Sequence, residues 1–126
     1  MEGRYRKTGR GRSAWHECRA PGLFVLSRSV PVRFDFEVRT DLPGGLRLSR
    51  LARQIRQDLW RALAGLRGFS PAVRLEEGTG GVLITVGGAV AGRFDRAHAE
   101  SRVAEMLADP ARRARWVRWA RKEGAA

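Results

Sequence analysis

The sequence predicts an α+β fold in which a small, mainly antiparallel sheet of three to five strands carries two or three helices on one face. Two periodic patterns support this prediction. Between Val30 and Val38 apolar residues alternate with polar ones, as in a half-buried strand, whereas between Leu48 and Leu66 they recur every three to four residues, as in a helix. Strand-like and helix-like segments follow one another along the chain, and its 126 residues suit one domain.

Residues 1–14 are predicted to be a disordered basic arm, because they consist mainly of Gly, Arg and Ser and contain almost no apolar side chains. The single folded domain is expected over residues 15–126. Its first strand is predicted at residues 23–26 (Leu-Phe-Val-Leu) and its second at residues 30–38. We expect these two strands to pair as a hairpin through residues 27–29.

A helix is predicted to begin near Leu48, after the turn at residues 41–45, and to end at Gly68, which suits a C-cap. Pro71 then prevents the helix from resuming. On a helical wheel, eight apolar residues fall within about 60° of one line and define the face that should be buried. They are Leu48, Leu51, Ala52, Ile55, Leu59, Ala62, Leu63 and Leu66.

Two further strands are predicted in the second half of the chain, at residues 73–76 and 82–86. Both faces of the 82–86 segment are largely apolar, which places it at the centre of the sheet. Gly87 and Gly88 are predicted to form a two-residue hairpin turn, with residues 89–94 as the returning strand.

Two helices are predicted to follow the last strand. Asp95 is suited to cap the first of them and Asp109 the second, in which Pro110 takes the first helical position. The second of these helices is basic and is expected to extend over about residues 110–122. The predicted buried stripe of the first comprises Ala99, Val103, Met106 and Leu107.

Positive charge is concentrated in three segments of the chain. The sequence has 25 basic and 13 acidic residues, giving a formal net charge of +12, and only Lys7 and Lys122 among the basic residues are lysines. Residues 1–12, 46–67 and 110–122 carry net charges of +4, +5 and +6, whereas the rest of the chain sums to −3. Charge segregated in this way is typical of proteins that bind a polyanion, most often nucleic acid.

The basic residues of these segments are the predicted nucleic-acid contacts. A guanidinium donates two parallel hydrogen bonds to a phosphate, and an exposed indole stacks on an unpaired base. Trp60 lies among the arginines of the first helix, away from its leucines. The candidate binding residues are Arg10 and Arg12 in the arm, Arg50, Arg53, Arg56, Trp60 and Arg61 on the first helix, and Arg112, Arg113, Arg115, Arg118 and Arg121 on the third.

The same residues also have a structural interpretation. A run of charge is an ordinary solvated helix face, and Trp60 then borders the core beside Leu63. Trp116 and Trp119 are expected to anchor the third helix to the domain. The exposed sheet face carries mixed charges and no aromatic pair, which disfavours a sheet that stacks bases in the manner of an RRM.

No residue set indicates catalysis, a metal site or a cofactor. His16 and Cys18 lack a second ligand pair, Asp35 and Glu37 lack the further acid of a metal nuclease, and neither glycine cluster precedes a helix as a phosphate loop would. The lone Cys18 fits a reducing compartment, and no apolar run approaches the roughly 18 residues of a membrane span. We therefore expect a cytoplasmic protein that is not an enzyme and has no membrane partner.

These observations predict a small non-catalytic protein that binds DNA or RNA through largely sequence-independent phosphate contacts. The alternative is a non-catalytic interaction protein, such as an accessory subunit, assembly factor or inhibitor, that docks on an acidic protein or a ribonucleoprotein. A small nuclease is the third interpretation. The sequence leaves open the choice between DNA and RNA, the sequence preference, the oligomeric state and the pathway.

Overall fold

Within the part of the chain that the structure describes, six antiparallel strands form one open sheet and three helices pack against it, so the predicted α+β class is confirmed. The computed structural model describes residues 5–8 and 14–122. The strands are β1 (Arg6–Thr8), β2 (Trp15–Ala20), β3 (Leu23–Ser27), β4 (Phe36–Leu42), β5 (Phe69–Gly78) and β6 (Gly81–Val90), and they lie in the order β1-β2-β3-β5-β6-β4. The helices are α1 (Leu48–Ala62), α2 (Arg96–Ala108) and α3 (Pro110–Ala120).

The hydrophobic core lies between one face of the sheet and the helices. Alternate residues of the central strands β5 and β6, such as Val73, Ile84 and Val86, are fully buried in the same core as the apolar stripe of α1. The predicted stripe of α2 is buried as well, and the predicted stripe of α1 either lies in the core or packs against it. No helix among the described residues is long and apolar enough to cross a membrane.

The predicted caps of α2 and α3 are confirmed. Asp95 Oδ1 accepts a hydrogen bond from the His98 backbone N–H at 3.0 Å, and Asp109 Oδ2 accepts one from the Arg112 N–H at 3.3 Å, with Pro110 opening α3. The first helix ends at Ala62, earlier than predicted, because residues 63–68 turn to enter β5.

The predicted hairpin between residues 23–26 and 30–38 is wrong. Strand β3 pairs with β2 and β5, whereas residues 28–35 cross the sheet and β4 pairs with β6 at the far side. The crossing segment runs over the second face of the sheet, the face that carries Val25 and Arg74, where its apolar side chains line a groove. The period-two pattern of this crossing segment therefore results from its packing against the sheet and does not mark a strand.

Two strands near the N-terminus were not predicted. Strand β2 forms a hairpin with β3 through a turn in which Gly22 has a φ of 70°. Arg6–Thr8 pairs with the start of β2, because the exposed edge of β2 offers it backbone partners. The prediction of disorder is therefore wrong for these three residues. Residues 1–4 and 9–13 of the predicted arm, including Arg10 and Arg12, lie outside the described residues, and Ala14 at its end is buried.

The predicted hairpin turn at Gly87-Gly88 is also wrong, because β6 continues through both glycines to Val90. A Cβ on Gly87 would lie 2.1 Å from the Phe36 carbonyl oxygen, and one on Gly88 would lie 2.1 Å from that of Ser70. Glycine is needed here because the neighbouring strands approach β6 from both sides, not because the chain turns.

Candidate nucleic-acid interface

A cleft of about 560 Å³ lies between α1 and the start of strand β2. Helix α1 packs mainly on β3 and β5, and the edge strands β1 and β2 extend past it. One flank of the helix therefore forms a wall of the cleft. The lining residues are Trp15 from β2, Arg28 after β3, and Arg53, Gln54, Arg56, Gln57, Trp60 and Arg61 from α1. We refer to it as the α1–β2 cleft.

Trp15 holds two guanidinium groups in this cleft. Its side chain projects on the helix-bearing side of the sheet, as does that of Glu17, whose strand partner Leu26 belongs to the core. Arg56 Cζ lies 4.9 Å and Arg28 Cζ 5.7 Å from the centre of the Trp15 ring. Cation–π attraction at these distances fixes both cations at one aromatic platform.

Arg56 is a partly buried arginine of the cleft. Burial lowers the pKa of its guanidinium from the ordinary value, and the positive charge of Arg53 lowers that pKa further. Arg56 remains charged at neutral pH. Among the described residues, no carboxylate forms a salt bridge with Arg28, Arg56 or Arg61. An anion in the cleft would therefore supply a missing counter-charge.

Arg53 is the cleft arginine with an acidic neighbour in the described part of the chain. Its Nη2 lies 3.6 Å from Glu17 Oε2, which is close enough for an ion pair but leaves that buried oxygen without a hydrogen bond. The other oxygen, Oε1, accepts from Arg19 Nε at 3.3 Å. The Glu17 carboxylate therefore partly neutralises the charge of Arg53 but accepts no hydrogen bond from it.

The acid of the 46–67 segment, Asp58, faces away from the cleft. It is buried, accepts a hydrogen bond from Trp116 Nε1 at 2.7 Å and forms an ion pair with Arg115. Asp58 and Arg56 are two residues apart in α1, so their side chains point about 160° apart around the helix axis. The cleft-facing flank of α1 therefore carries no acid of its own.

Three of the predicted binding residues on α3 are engaged within the fold. Arg112 pairs with Asp109 at 3.2 Å and Arg115 pairs with Asp58. Arg113 fastens α3 to α2 and β4, because its guanidinium donates to the Leu107 carbonyl at 2.9 Å, to Thr40 Oγ1 at 3.0 Å and to the carbonyl of Asp41. Arg113 and Arg115 therefore join α3 to the rest of the fold, whereas the Arg112 pair lies at the first turn of α3 itself.

The two remaining predicted binding residues, Arg118 in the last turn of α3 and Arg121 just after it, are exposed. Arg118 and Arg121 have no salt bridge within the described residues. Trp116 is fully buried and anchors the helix as expected, but Trp119 is 59% exposed, so the expectation that both anchor it is wrong for Trp119. Because α3 packs on the Asp58 side of α1, these residues lie on the flank of α1 opposite the cleft.

Not all predicted residues converge, and four of the residues that line the cleft were not predicted from the sequence. Arg53, Arg56, Trp60 and Arg61 meet in the cleft, whereas Arg50 is exposed on α1 outside its lining. Trp15 and Arg28 were missed because the strand that carries Trp15 was not recognised, and their closeness to α1 depends on the sheet order. The lining glutamines Gln54 and Gln57 were not singled out either.

The second face of the sheet contrasts with the cleft. Arg39 pairs with Glu37 at 2.8 Å and Arg74 with Glu76 at 3.1 Å, each along its own strand. Beside them, Arg33 pairs with Asp35 at 3.1 Å. The Val90 backbone N–H, which donates to the Asp35 carboxylate, lowers the pKa of that group most, and Arg33 lowers it further. These arginines have acidic partners, whereas those of the cleft largely do not.

Within the described residues, no group of three or more His, Cys, Asp or Glu side chains is placed to hold a metal ion. No protein-family model, curated protein or solved structure matches this chain.

Proposed function

We propose that this protein binds nucleic acid through the α1–β2 cleft and the adjoining exposed face of α1, without catalysing a reaction and largely independently of base sequence. The observation that supports this proposal is the set of four arginines lining one cleft. In the described part of the chain only Arg53 of these has an acidic partner, at 3.6 Å. On the second face of the sheet, by contrast, arginines are neutralised locally.

Phosphate is the anion that suits this arrangement. A guanidinium binds a phosphate with two parallel N–H donors, and it is less strongly hydrated than an ammonium group. Trp15 already orients the guanidinium groups of Arg28 and Arg56, so less side-chain entropy is lost when an anion binds. Contacts of this kind read the backbone of the polymer and carry no sequence information.

Other exposed arginines extend this surface in the proposal. Arg50, which is exposed on α1 outside the cleft lining, contacts a phosphate next to the cleft, and Arg118 and Arg121, on the opposite flank of α1, assist on a longer polymer. Arg112, Arg113 and Arg115 are excluded from the proposal, since their partners lie within the protein. We also propose a cytoplasmic location, which is supported by Cys18 being a buried free thiol.

The test is to remove three cleft arginines together, as Arg28→Ala/Arg56→Ala/Arg61→Ala. Arg53 is kept so that Glu17 retains its ion pair. Affinity for random-sequence DNA and RNA is measured at several salt concentrations. We expect weaker binding to all sequences, and a slope of log K against log[salt] that is shallower by about two to three, because three phosphate contacts are lost.

The matched control is Arg33→Ala/Arg39→Ala/Arg74→Ala, which removes the same charge from arginines that already have acidic partners. It should change the slope by less than about one unit. If the two triple variants lose the same affinity, net charge rather than the cleft governs binding. Magnesium-dependent cleavage of the nucleic acid would contradict the non-catalytic part of the proposal.

A second candidate function is docking on an acidic protein or a ribonucleoprotein. The exposed Trp119, which lies outside the cleft beside Arg118, favours it, because tryptophan and arginine are common anchors of protein interfaces. This candidate replaces the first if the purified protein binds no DNA or RNA at roughly 50 mM salt but binds polyglutamate through the same arginines.

A further inference from the structure

The two tryptophans of the α1–β2 cleft differ in their exposure and in the cations around their rings. The Trp15 ring is half-buried and has two guanidinium groups over it, at 4.9 Å and 5.7 Å. Trp60 is 52% exposed, and within the described residues no guanidinium lies over its ring. One aromatic ring therefore positions cations, while the other leaves a face open to the cleft.

Trp60 stands beside the cations rather than apart from them. It follows Arg56 by four residues and Arg53 by seven, so the three side chains share one flank of α1. The core does not require an indole at this place, because the apolar stripe of α1 is already buried without it. A large apolar ring kept in solvent next to guanidinium groups suits a ligand that has a flat apolar face and a negative charge.

The polar lining of the cleft is suited to the edge of such a ligand. Gln54 and Gln57 both line it, and neither amide has a hydrogen bond to another described residue. An amide both donates and accepts, so it can pair with the edges of different bases. The cleft volume of about 560 Å³ falls in the range of small-ligand sites.

We propose that the α1–β2 cleft recognises an unpaired nucleotide, with its phosphate on Arg28 and Arg56 and its base stacked on Trp60. This inference rests on the proposed function and specifies its substrate class, single-stranded nucleic acid. Bases in a duplex stack on one another and expose only their edges in the grooves, so they offer no face to Trp60. Both DNA and RNA strands present the chemistry that this site requires.

The experiment compares Trp60→Ala with Trp119→Ala, since Trp119 is an exposed tryptophan outside the cleft. The probes are a labelled oligodeoxythymidine, the corresponding oligouridine, and a blunt-ended duplex of two complementary strands that has no unpaired bases and the same total number of phosphates. Binding is measured by fluorescence anisotropy at constant salt. Trp60→Ala should weaken binding of at least one single strand by roughly 5- to 150-fold and change duplex binding by less than about twofold.

Two further variants make the result specific. Trp60→Phe keeps an aromatic face and should retain most of the single-strand affinity, whereas Trp119→Ala should leave all three affinities within about twofold of the parent value. A loss confined to the DNA or to the RNA strand identifies the preferred polymer and supports the inference.

The outcomes separate this inference from the proposed function. If the triple arginine variant loses affinity for every probe but Trp60→Ala does not selectively lose single-strand affinity, the nucleotide site is overturned and the proposed function stands. If the parent protein binds none of the three probes, both are overturned. Equal losses for Trp60→Ala and Trp119→Ala would also overturn the nucleotide site.

Discussion

Asp58 shows how one residue changes the meaning of a charge pattern. By composition it is the acid within an arginine-rich segment, and a helical wheel places it near the border of the apolar stripe. In the structure it is buried and accepts the Trp116 indole N–H at 2.7 Å while pairing with Arg115. It therefore joins α1 to α3 and leaves the arginines on the opposite flank of α1 without an acid from that helix.

We expect Asp58→Ala to lower the free energy of unfolding by about 1–3 kcal/mol, because the buried Trp116 N–H loses its acceptor. Asp58→Asn makes the same change in charge but keeps an oxygen for the indole. It should cost less than about 1 kcal/mol, since the Arg115 side chain is 38% exposed and its ion pair is screened by solvent. Denaturant titration measures both values, and equal losses would show that the ion pair matters more than the indole bond.

At the scale of elements, β6 was predicted only in part, because residues 82–86 lie in it as expected but the strand does not end at its glycines. It pairs with β5 over its whole length and with β4 over seven residue pairs. A pair of glycines inside it resembles a hairpin turn when only local sequence is considered. The two glycines instead admit the Phe36 and Ser70 carbonyl oxygens, which belong to different neighbouring strands.

We expect Gly87→Ala to destabilise the protein by at least about 2 kcal/mol, since its Cβ would meet backbone atoms of β4 that cannot move without disturbing the sheet. Gly80→Ala is the control, because a Cβ there meets no atom within 4 Å and Gly80 has no positive φ. Thermal or denaturant unfolding of both variants tests this expectation. A Gly87→Ala protein as stable as Gly80→Ala would mean that the strands can separate there at little cost.

At the scale of the whole molecule, the arginines that give the net charge of +12 differ in whether they have an acidic partner. Arginines on the second face of the sheet have carboxylates beside them, and three arginines of α3 are held by the fold. In the α1–β2 cleft, burial lowers the pKa of Arg56 most, and the positive charge of the neighbouring Arg53 lowers that pKa further. This difference in pairing distinguishes the cleft from the second face of the sheet, whereas exposed arginines elsewhere, such as Arg118, also lack a salt bridge within the described residues.

We expect tripolyphosphate, a polyanion without bases, to raise the melting temperature. At ten times its dissociation constant it stabilises the native state by about 1.4 kcal/mol, or several degrees for a domain of this size. The Arg28→Ala/Arg56→Ala/Arg61→Ala protein should gain less than Arg33→Ala/Arg39→Ala/Arg74→Ala. Sodium chloride of equal ionic strength serves as the reference, and an equal rise in both variants would place the anion site outside the cleft.

Much of the fold could be predicted because its signals are local. The period of Leu51, Ile55 and Leu59 and the side chains of Asp95 and Asp109 identify helices from a few neighbouring residues. Strands were harder to predict, since an alternating segment is also produced by a chain that lies across a sheet, as residues 28–35 do. Part of the candidate site was predictable for the same reason, because Arg53, Arg56, Trp60 and Arg61 share one helix.

The sequence by itself determined the α+β class, the helices with their buried stripes and caps, and the presence of a basic helix face. Only the tertiary structure decided which cations have partners, because ion pairs and hydrogen bonds join residues far apart in the chain. Arg115 meets Asp58 across 57 positions, and Arg113 meets Thr40 across 73. Trp15 and Arg28 likewise reach α1 only because the strand order brings the N-terminal hairpin beside that helix.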